Sequence, residues 1–329
     1  MPETLPASQP TPRTPPWWLW PHVLSLEAPL VAVLYQLMLM HVHGVTFTPM
    51  LHVGLGLACW VVYVLDRTLD TFGAKSEGGL DVRHAFYFRH RRVVLWLVLP
   101  VAAVVEFWLA FFVIPEGVLW QAAGLALLVA LYLASFSAQG SRRSRDLLVM
   151  CAGLGAVLLI SRLPASTGFR FVLSVMVLVV MVLSFLRQLD IRLGHFLPKE
   201  MNAALLFALG CTTSTRFFAM PDNLLQPVAE CLLLALLFAC NLHGISARER
   251  KNHGSHGLLV GGTLGFTLLI LWMTHNGLLE QSLRGPAWVA LVALPLHAAV
   301  QLAGRRVSNE AHHVLSDLAL IVALPLAWL

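Results

Sequence analysis

The chain has 329 residues, of which 58% are hydrophobic and only 12% are charged. Soluble globular domains carry about 25% charged residues, so this composition excludes a soluble fold wrapped in a polar shell. The mean hydropathy of +0.75 indicates that lipid surrounds most of the chain. The formal charge of +5 does not indicate a nucleic-acid partner, because the Lys and Arg residues flank apolar runs, as they do in membrane proteins.

A short polar tail precedes the apolar part of the chain. Residues 1–20 are rich in proline and are expected to form a cytoplasmic tail, followed by a single transmembrane domain over residues 21–329. The apolar runs are continuous rather than alternating, and a helix crosses the hydrocarbon with about 20 such residues. We therefore expect an all-α membrane bundle of about 9–11 transmembrane helices, with candidate spans near residues 22–41, 48–66, 93–114, 117–137, 147–164, 168–187, 200–218, 223–242, 256–275, 286–304 and 310–329.

The basic residues predict the orientation of the bundle. If the N-terminus is cytoplasmic and the spans alternate, the outer side keeps only Arg162, Arg170, Arg216 and Arg284. Every other Lys or Arg then lies in the tail or near a cytoplasmic loop, as the positive-inside rule requires. The sequence thus predicts an integral, multi-pass membrane protein that contacts membrane lipid and has its polar loops in the cytoplasm.

The first cytoplasmic loop, residues 63–92, opens with the most unusual polar segment, VLDRTLD. Asp66 and Asp70 are four residues apart, which places both carboxylates on one helix face with Cβ atoms about 5–6 Å apart. They repel each other at a helix C-terminus, where the dipole is also negative. Arg67 neighbours Asp66 in sequence but points off that face, so a bound cation is expected, and Mg²⁺ prefers carboxylate and phosphate oxygens. The alternative is a solvated helix end that pairs with Arg67.

The segment VLDRTLD resembles the first aspartate-rich motif, NDxxDxxxD, of the UbiA superfamily of intramembrane prenyltransferases. Asp66 and Asp70 match its last two aspartates, while Val62 and Tyr63 replace its Asn and first Asp. Three other segments are similar to family elements in the same order. They are LSLEAPLVAVL at 24–34, HFLPKEMNAALLFALG at 195–210 and CNLHGISARERK at 240–251.

The departures from the family lie in the later motifs. Lys199 takes the lysine position of the family's Tyr-x-x-x-Lys element, and His195 takes the tyrosine position. A second register would place that element at Tyr132. The family's second motif, DxxxD, falls on Asn241, Ile245 and Glu249, which leaves one carboxylate. The family core has nine helices, so a further helix pair must be accommodated.

The resemblance implies an activity, a metal and a set of site residues. A UbiA-like enzyme would transfer a prenyl group from a prenyl diphosphate to a small or lipidic acceptor. Its catalytic residues would be Asp66, Asp70, Lys199 and Glu249, with Mg²⁺ on Asp66, Asp70 and Glu249, and with Arg67, Asn241 and His195 contacting substrate. The alternative is a non-catalytic UbiA-fold scaffold or transporter that binds lipid or quinone, because acidic residues are missing from both motifs.

Two glutamates, Glu106 and Glu230, fall inside expected spans, where a carboxylate is costly and by default marks a functional site or an internal partner. Glu230 lies eleven residues before Asn241 on the same expected helix, and contact with the same cavity is one interpretation. His243, His253 and His256 surround Glu249, and a metal site that includes histidine is a further alternative there.

Overall fold

The computed structural model describes residues 15–46, 48–73, 81–137, 199–219, 225–249 and 254–328, together with isolated positions between 160 and 178. All regular secondary structure in this part of the chain is helical, which confirms the all-α prediction. The expected spans 147–164 and 168–187 lie almost entirely outside the described residues. The long helices are α1 Glu27–Val42, α2 Pro49–Asp70, α3 Val82–Phe112, α4 Glu116–Ser137, α5 Lys199–Phe218, α6 Leu225–Glu249, α7 Gly254–His275, α8 Arg284–Ala303 and α9 Asn309–Val322.

Six helices of the described part are long and apolar enough to cross a membrane, and a bent pair at the N-terminus would be a seventh span. The six correspond to α2, α3, α6, α7, α8 and α9, the last two extended by short 3₁₀ turns. This finding supports a multi-pass membrane protein. The expected total of 9–11 spans is not reached within the described residues.

Helix α3 begins earlier than expected. The sequence placed residues 83–92 in a loop and started the span at 93, but one helix runs over Val82–Phe112. Asp81 caps its start by accepting a hydrogen bond from the backbone N–H of His84 at 2.7 Å. A π-helical stretch, Val94–Val98, precedes Pro100. Because proline has no N–H and clashes with the carbonyl four residues back, the wider turn lets the helix continue past it.

The expected span 22–41 is not one helix. The short helical segment Trp17–Val23 meets α1 at an angle of 76°. Ser25 lies in the break with a φ of 56°, a left-handed conformation that non-glycine residues rarely adopt. Trp60 of α2 donates a hydrogen bond to the carbonyl of Leu24 at 2.9 Å, and Tyr87 of α3 donates one to the Ser25 hydroxyl at 3.1 Å. These two bonds hold the break against the neighbouring helices.

Helix α6 lies at the centre of the bundle. In its apolar stretch 67% of the residues are buried inside the protein, compared with 17% in the apolar stretch of α3. Phe238 makes edge-to-face contacts with Tyr35 of α1 and Phe207 of α5. Helix α5 is less apolar and is absent from the six candidate spans, yet it is buried and packs closely on α6. Several of its hydroxyls have partners within the bundle: Thr213 donates to the carbonyl of Leu209 in its own helix at 2.7 Å, and Ser214 accepts a hydrogen bond from Gln36 of α1.

Candidate functional site at the Asp66 end of the bundle

The first aspartate of the VLDRTLD segment faces the start of α5. Asp66 lies four residues before the end of α2, and Lys199 is the first residue of α5. The Lys199 Nζ atom lies 3.4 Å from Asp66 Oδ1. Two residues that the sequence assigned to one site are therefore in contact, although 132 positions separate them in the chain.

The second aspartate is surrounded by basic side chains. Asp70 Oδ2 lies 3.7 Å from an Arg67 nitrogen and 3.9 Å from His84 Nε2. The other His84 ring nitrogen lies 2.8 Å from Asp81 Oδ1. Burial would raise the pKa of the Asp81 carboxyl, but the hydrogen bonds and charge of His84 outweigh it and hold that pKa well below its usual range. The expectation that Arg67 points off the face shared by the two aspartates is wrong for Asp70, because arginine reaches a residue three positions on, and this contact fits the alternative of a helix end that pairs with Arg67.

A cavity of about 90 Å³ lies beside this segment, at the same end of the bundle. Arg67 and Arg83 line it, and the Nε atom of each is buried with no hydrogen-bond partner among the described residues. Phe207, Phe238 and Leu320 form an apolar part of the wall. The cavity therefore combines unused cationic donors with a surface that suits a hydrocarbon chain.

A hydrogen-bonded network occupies another wall of the same cavity. Asn241 Nδ2 donates to Asp317 Oδ1 at 2.7 Å, and the carboxyl groups of Asp317 and Glu27 adjoin in the same cavity. His22 Nδ1 lies 2.6 Å from Glu27 Oε2. Asn241 was predicted as a site residue, whereas Glu27, Asp317 and Arg83 were not. In the sequence, Glu27 is visible as an acid before Pro29 and Asp317 as an acid inside the last apolar run. Neither pattern shows which helices pack together.

Two other predicted site residues lie partly or wholly outside the described residues. Glu249 is the last residue of α6, but its side chain lies outside the described residues, as does all of His195. Ser246, three residues before Glu249, donates to Glu200 Oε1 at 2.7 Å, so the end of α6 adjoins the start of α5. Tyr132, the alternative position for the tyrosine of the lysine element, is buried in α4.

Glu230 belongs to the opposite end of the bundle. Its carboxylate forms an ion pair with Arg216 and lies 3.0 Å from His43 Nε2. It is eleven residues, or about 16 Å, from Asn241 along α6, and it does not line the cavity. The interpretation that Glu230 and Asn241 share a cavity is therefore wrong.

The residues present can be compared with the needs of a metal ion. Within the described part of the chain, no three His, Cys, Asp or Glu side chains are grouped so as to hold a metal by themselves. Mg²⁺, however, keeps several waters and is commonly bound by one or two carboxylates plus substrate phosphates. Oxygen donors of this kind meet around Asn241, whose Oδ1 is buried without a partner among the described residues. The oxygen donors of the cavity fit such an ion, whereas Asp66 and Asp70 already contact basic side chains.

No protein-family model matches the sequence, and no curated protein or solved structure matches it.

Proposed function

We propose that this protein is a UbiA-like membrane prenyltransferase that binds a prenyl diphosphate at the cavity beside Asp66 and transfers the prenyl group to a small or lipidic acceptor. One observation carries the proposal. Arg67 and Arg83 line a single cavity, and each has a buried Nε with no partner among the described residues. A buried charged donor without an acceptor is costly, so this pair favours an anionic ligand.

The proposed chemistry separates a charged group from an apolar one. Guanidinium groups bind phosphate oxygens through paired N–H donors, and the apolar wall at Phe207, Phe238 and Leu320 would hold the prenyl chain. The allylic carbon–oxygen bond breaks, the diphosphate leaves with the electron pair, and the prenyl carbon bonds to an acceptor that loses a proton. Mg²⁺, when bound, would stabilise the charge on the leaving diphosphate.

The roles proposed for the motif residues follow from their positions. Lys199 contacts Asp66 and would help to neutralise the diphosphate beside it. Asp66 and Asp70 would bind Mg²⁺ by exchanging their contacts with basic residues for the metal when diphosphate supplies further oxygens. Glu249 as a metal ligand and His195 as a substrate contact remain proposals from the resemblance, as do the cytoplasmic location of this end and the absence of a nucleic-acid partner.

A second candidate function is a non-catalytic scaffold or transporter that binds a lipid or quinone. The observation that favours it is the pairing of both motif aspartates with protein cations, Asp66 with Lys199 and Asp70 with Arg67 and His84. Carboxylates that are neutralised within the protein do not need a metal ion. The two functions differ in whether diphosphate binding depends on Mg²⁺.

Equilibrium binding of geranylgeranyl diphosphate to the purified full-length protein in detergent tests the proposal. We expect binding that is strengthened by Mg²⁺ and that Arg67→Gln and Arg83→Gln each weaken by about tenfold or more, because a hydrogen bond to a charged group contributes about 1.5–3 kcal/mol. Arg92→Gln is the matched control, since this exposed residue lies on α3 and does not line the cavity.

The remaining outcomes separate the candidates. Binding that persists unchanged in EDTA and in Asp66→Asn and Asp70→Asn favours the scaffold. Absence of diphosphate binding in the parent protein contradicts the prenyltransferase proposal, as does an equal loss in the arginine variants and in Arg92→Gln.

A further inference from the structure

The cavity beside Asp66 contains three oxygen-bearing side chains that the aspartate-rich segment does not supply. Glu27 is the first residue of α1, Asn241 lies on α6 and Asp317 lies on α9. All three line the cavity, with Asn241 Nδ2 donating to Asp317 Oδ1 at 2.7 Å and the carboxyl groups of Asp317 and Glu27 adjoining each other. Three separate helices thus bring two carboxyl groups and an amide to one wall.

The amide of Asn241 has an unused acceptor. Asn241 is only 5% exposed, and its Oδ1 is buried with no hydrogen-bond partner among the described residues. The bond from Nδ2 to Asp317 fixes the plane of the amide, and Asn241 lines the cavity. A buried carbonyl oxygen without a donor is costly, and a cation is one ligand that relieves the cost.

The two carboxyl groups also lack a full counter-charge. Two carboxylates in contact repel each other unless a proton or a cation lies between them. His22 contacts Glu27 at 2.6 Å and Arg83 is near enough to interact electrostatically with both acids, but no direct ion pair joins Arg67 or Arg83 to Glu27 or Asp317 in the described part of the chain. The oxygens of the two acids are therefore not taken up by direct contact with a guanidinium group and are open to a cation.

We propose that Glu27, Asn241 and Asp317 form a divalent-cation site in this cavity. Two carboxylate oxygens and the Asn241 amide oxygen would be the protein ligands, and water would complete the shell. A cavity of about 90 Å³ has room for water molecules that each occupy roughly 30 Å³ of liquid volume. The ion is of the hard class, such as Mg²⁺ or Mn²⁺, because every donor is oxygen.

The cation site would add a metal to the proposed prenyltransferase. Only the role of the cation, and not its binding, rests on the proposed function. If diphosphate binds at Arg67 and Arg83, a cation at Asp317 would contact the same ligand from the acidic wall. The carboxylates missing from the second motif would then be supplied by α1 and α9. The site itself can be tested with the cation alone.

The probe is Mn²⁺, measured by its electron paramagnetic resonance signal with the full chain in detergent and no diphosphate. The background is Asp66→Asn with Asp70→Asn, which removes the other acidic segment. In this background we expect one bound Mn²⁺ whose affinity falls by about tenfold or more in Asp317→Asn and in Glu27→Gln, since ligand charge sets the affinity of such sites. Glu310→Gln, an equal charge change on α9, is the matched control and should bind as the background does.

A second variant keeps the test decisive if either acid is needed for folding. Asn241→Asp adds a charged oxygen ligand, so Mn²⁺ should bind more tightly and should raise the thermal unfolding temperature more than in the background. In a purely structural network the same change would lose the bond to Asp317, add a third repelling charge and lower stability with or without Mn²⁺.

The outcomes separate this inference from the proposed function. Absence of Mn²⁺ binding in the background protein, or binding that Asp317→Asn, Glu27→Gln and Asn241→Asp leave unchanged, overturns the site even if geranylgeranyl diphosphate still binds. Mn²⁺ binding that follows these variants supports the site even if geranylgeranyl diphosphate does not bind, in which case the prenyltransferase proposal alone fails.

Discussion

At the residue scale, the clearest buried charge pair lies at the end opposite Asp66. Arg216 and Glu230 pair with side chains that are 4% and 0% exposed. Burial and the nearby Arg216 lower the pKa of His43, just past α1, to about 4, so its ring is neutral near pH 7. Arg216 is therefore the counter-charge of Glu230, and neither can be removed alone without leaving an uncompensated charge in the bundle.

Truncating one partner should be far more damaging than truncating both. We expect Glu230→Leu to lower the free energy of unfolding by about 3–5 kcal/mol, because Arg216 then stays buried and unpaired. The double variant Arg216→Met with Glu230→Leu should recover most of that loss. Denaturant unfolding in detergent, with Glu116→Gln as an exposed control, measures both; a double variant that is as unstable as the sum of the singles would contradict the pairing.

Individual site residues could be predicted only where the pattern is local. The four-residue step of Asp66 and Asp70 is visible in the sequence, and so is the lysine at 199. The contacts of these residues were not visible, because His84 approaches Asp70 from the next helix. Glu27 and Asp317 were not assigned to the site, since they lie near opposite ends of the chain and meet only when α1 packs beside α9.

At the element scale, the break before α1 places Glu27 in the cavity. An uninterrupted helix would carry the chain past this wall, whereas the 76° bend brings His22, Ser25 and Glu27 to it together. The left-handed Ser25 is the strained point of the bend. Backbone strain of this kind commonly costs about 1–3 kcal/mol and persists where neighbouring structure fixes it.

Substitutions at Ser25 should separate backbone strain from the hydroxyl contact. We expect Ser25→Val to be less stable than Ser25→Gly by about 1–3 kcal/mol, because a β-branched residue resists a positive φ and glycine does not. Ser25→Ala keeps the Cβ atom and loses only the contact with Tyr87, so it should fall between the two. Unfolding midpoints in detergent give the order, and equal stability of the valine and glycine variants would show that the bend is not strained.

The helices were predicted better than their ends. Apolar runs located α2, α7 and α8 to within a few residues or one extra turn, because lipid demands a continuous apolar length, while α6 continues about two turns past its expected end. The start of α3 was missed, since a charged segment such as RHAFYFRHRR looks like a loop until the Asp81 cap and the partners of His84 are known. Helix α5 tolerates its polar residues through contacts within the bundle, which a hydropathy pattern does not record.

At the scale of the whole molecule, we predict which end of the bundle faces the cytoplasm. The end that carries Asp66 and Lys199 should face the cytoplasm, because the loops that the sequence predicts at this end carry most of the basic residues. In intact cells, a membrane-impermeant thiol reagent should label a cysteine at Asn276 and should reach cysteines at Ser76 and Asn252 only after permeabilisation. The unsubstituted protein is the control for its own cysteines, and labelling of positions 76 and 252 from opposite sides would contradict a single site at one end.

The length of α3 has a consequence for where a ligand enters. Its 31 residues extend about 46 Å, while the hydrocarbon layer is about 30 Å thick, which is the length of its apolar part from Val93 to Phe112, where Glu106 is the one acidic or basic residue. The preceding segment, with Arg83 at its start, therefore lies among the phosphate groups of the lipids. An amphiphile in the same leaflet could reach the guanidinium groups of Arg67 and Arg83 by lateral diffusion. Its charged end would stay in the headgroup region throughout. Anionic lipids, which present the same phosphate chemistry at the same depth, would then be natural competitors for this entrance.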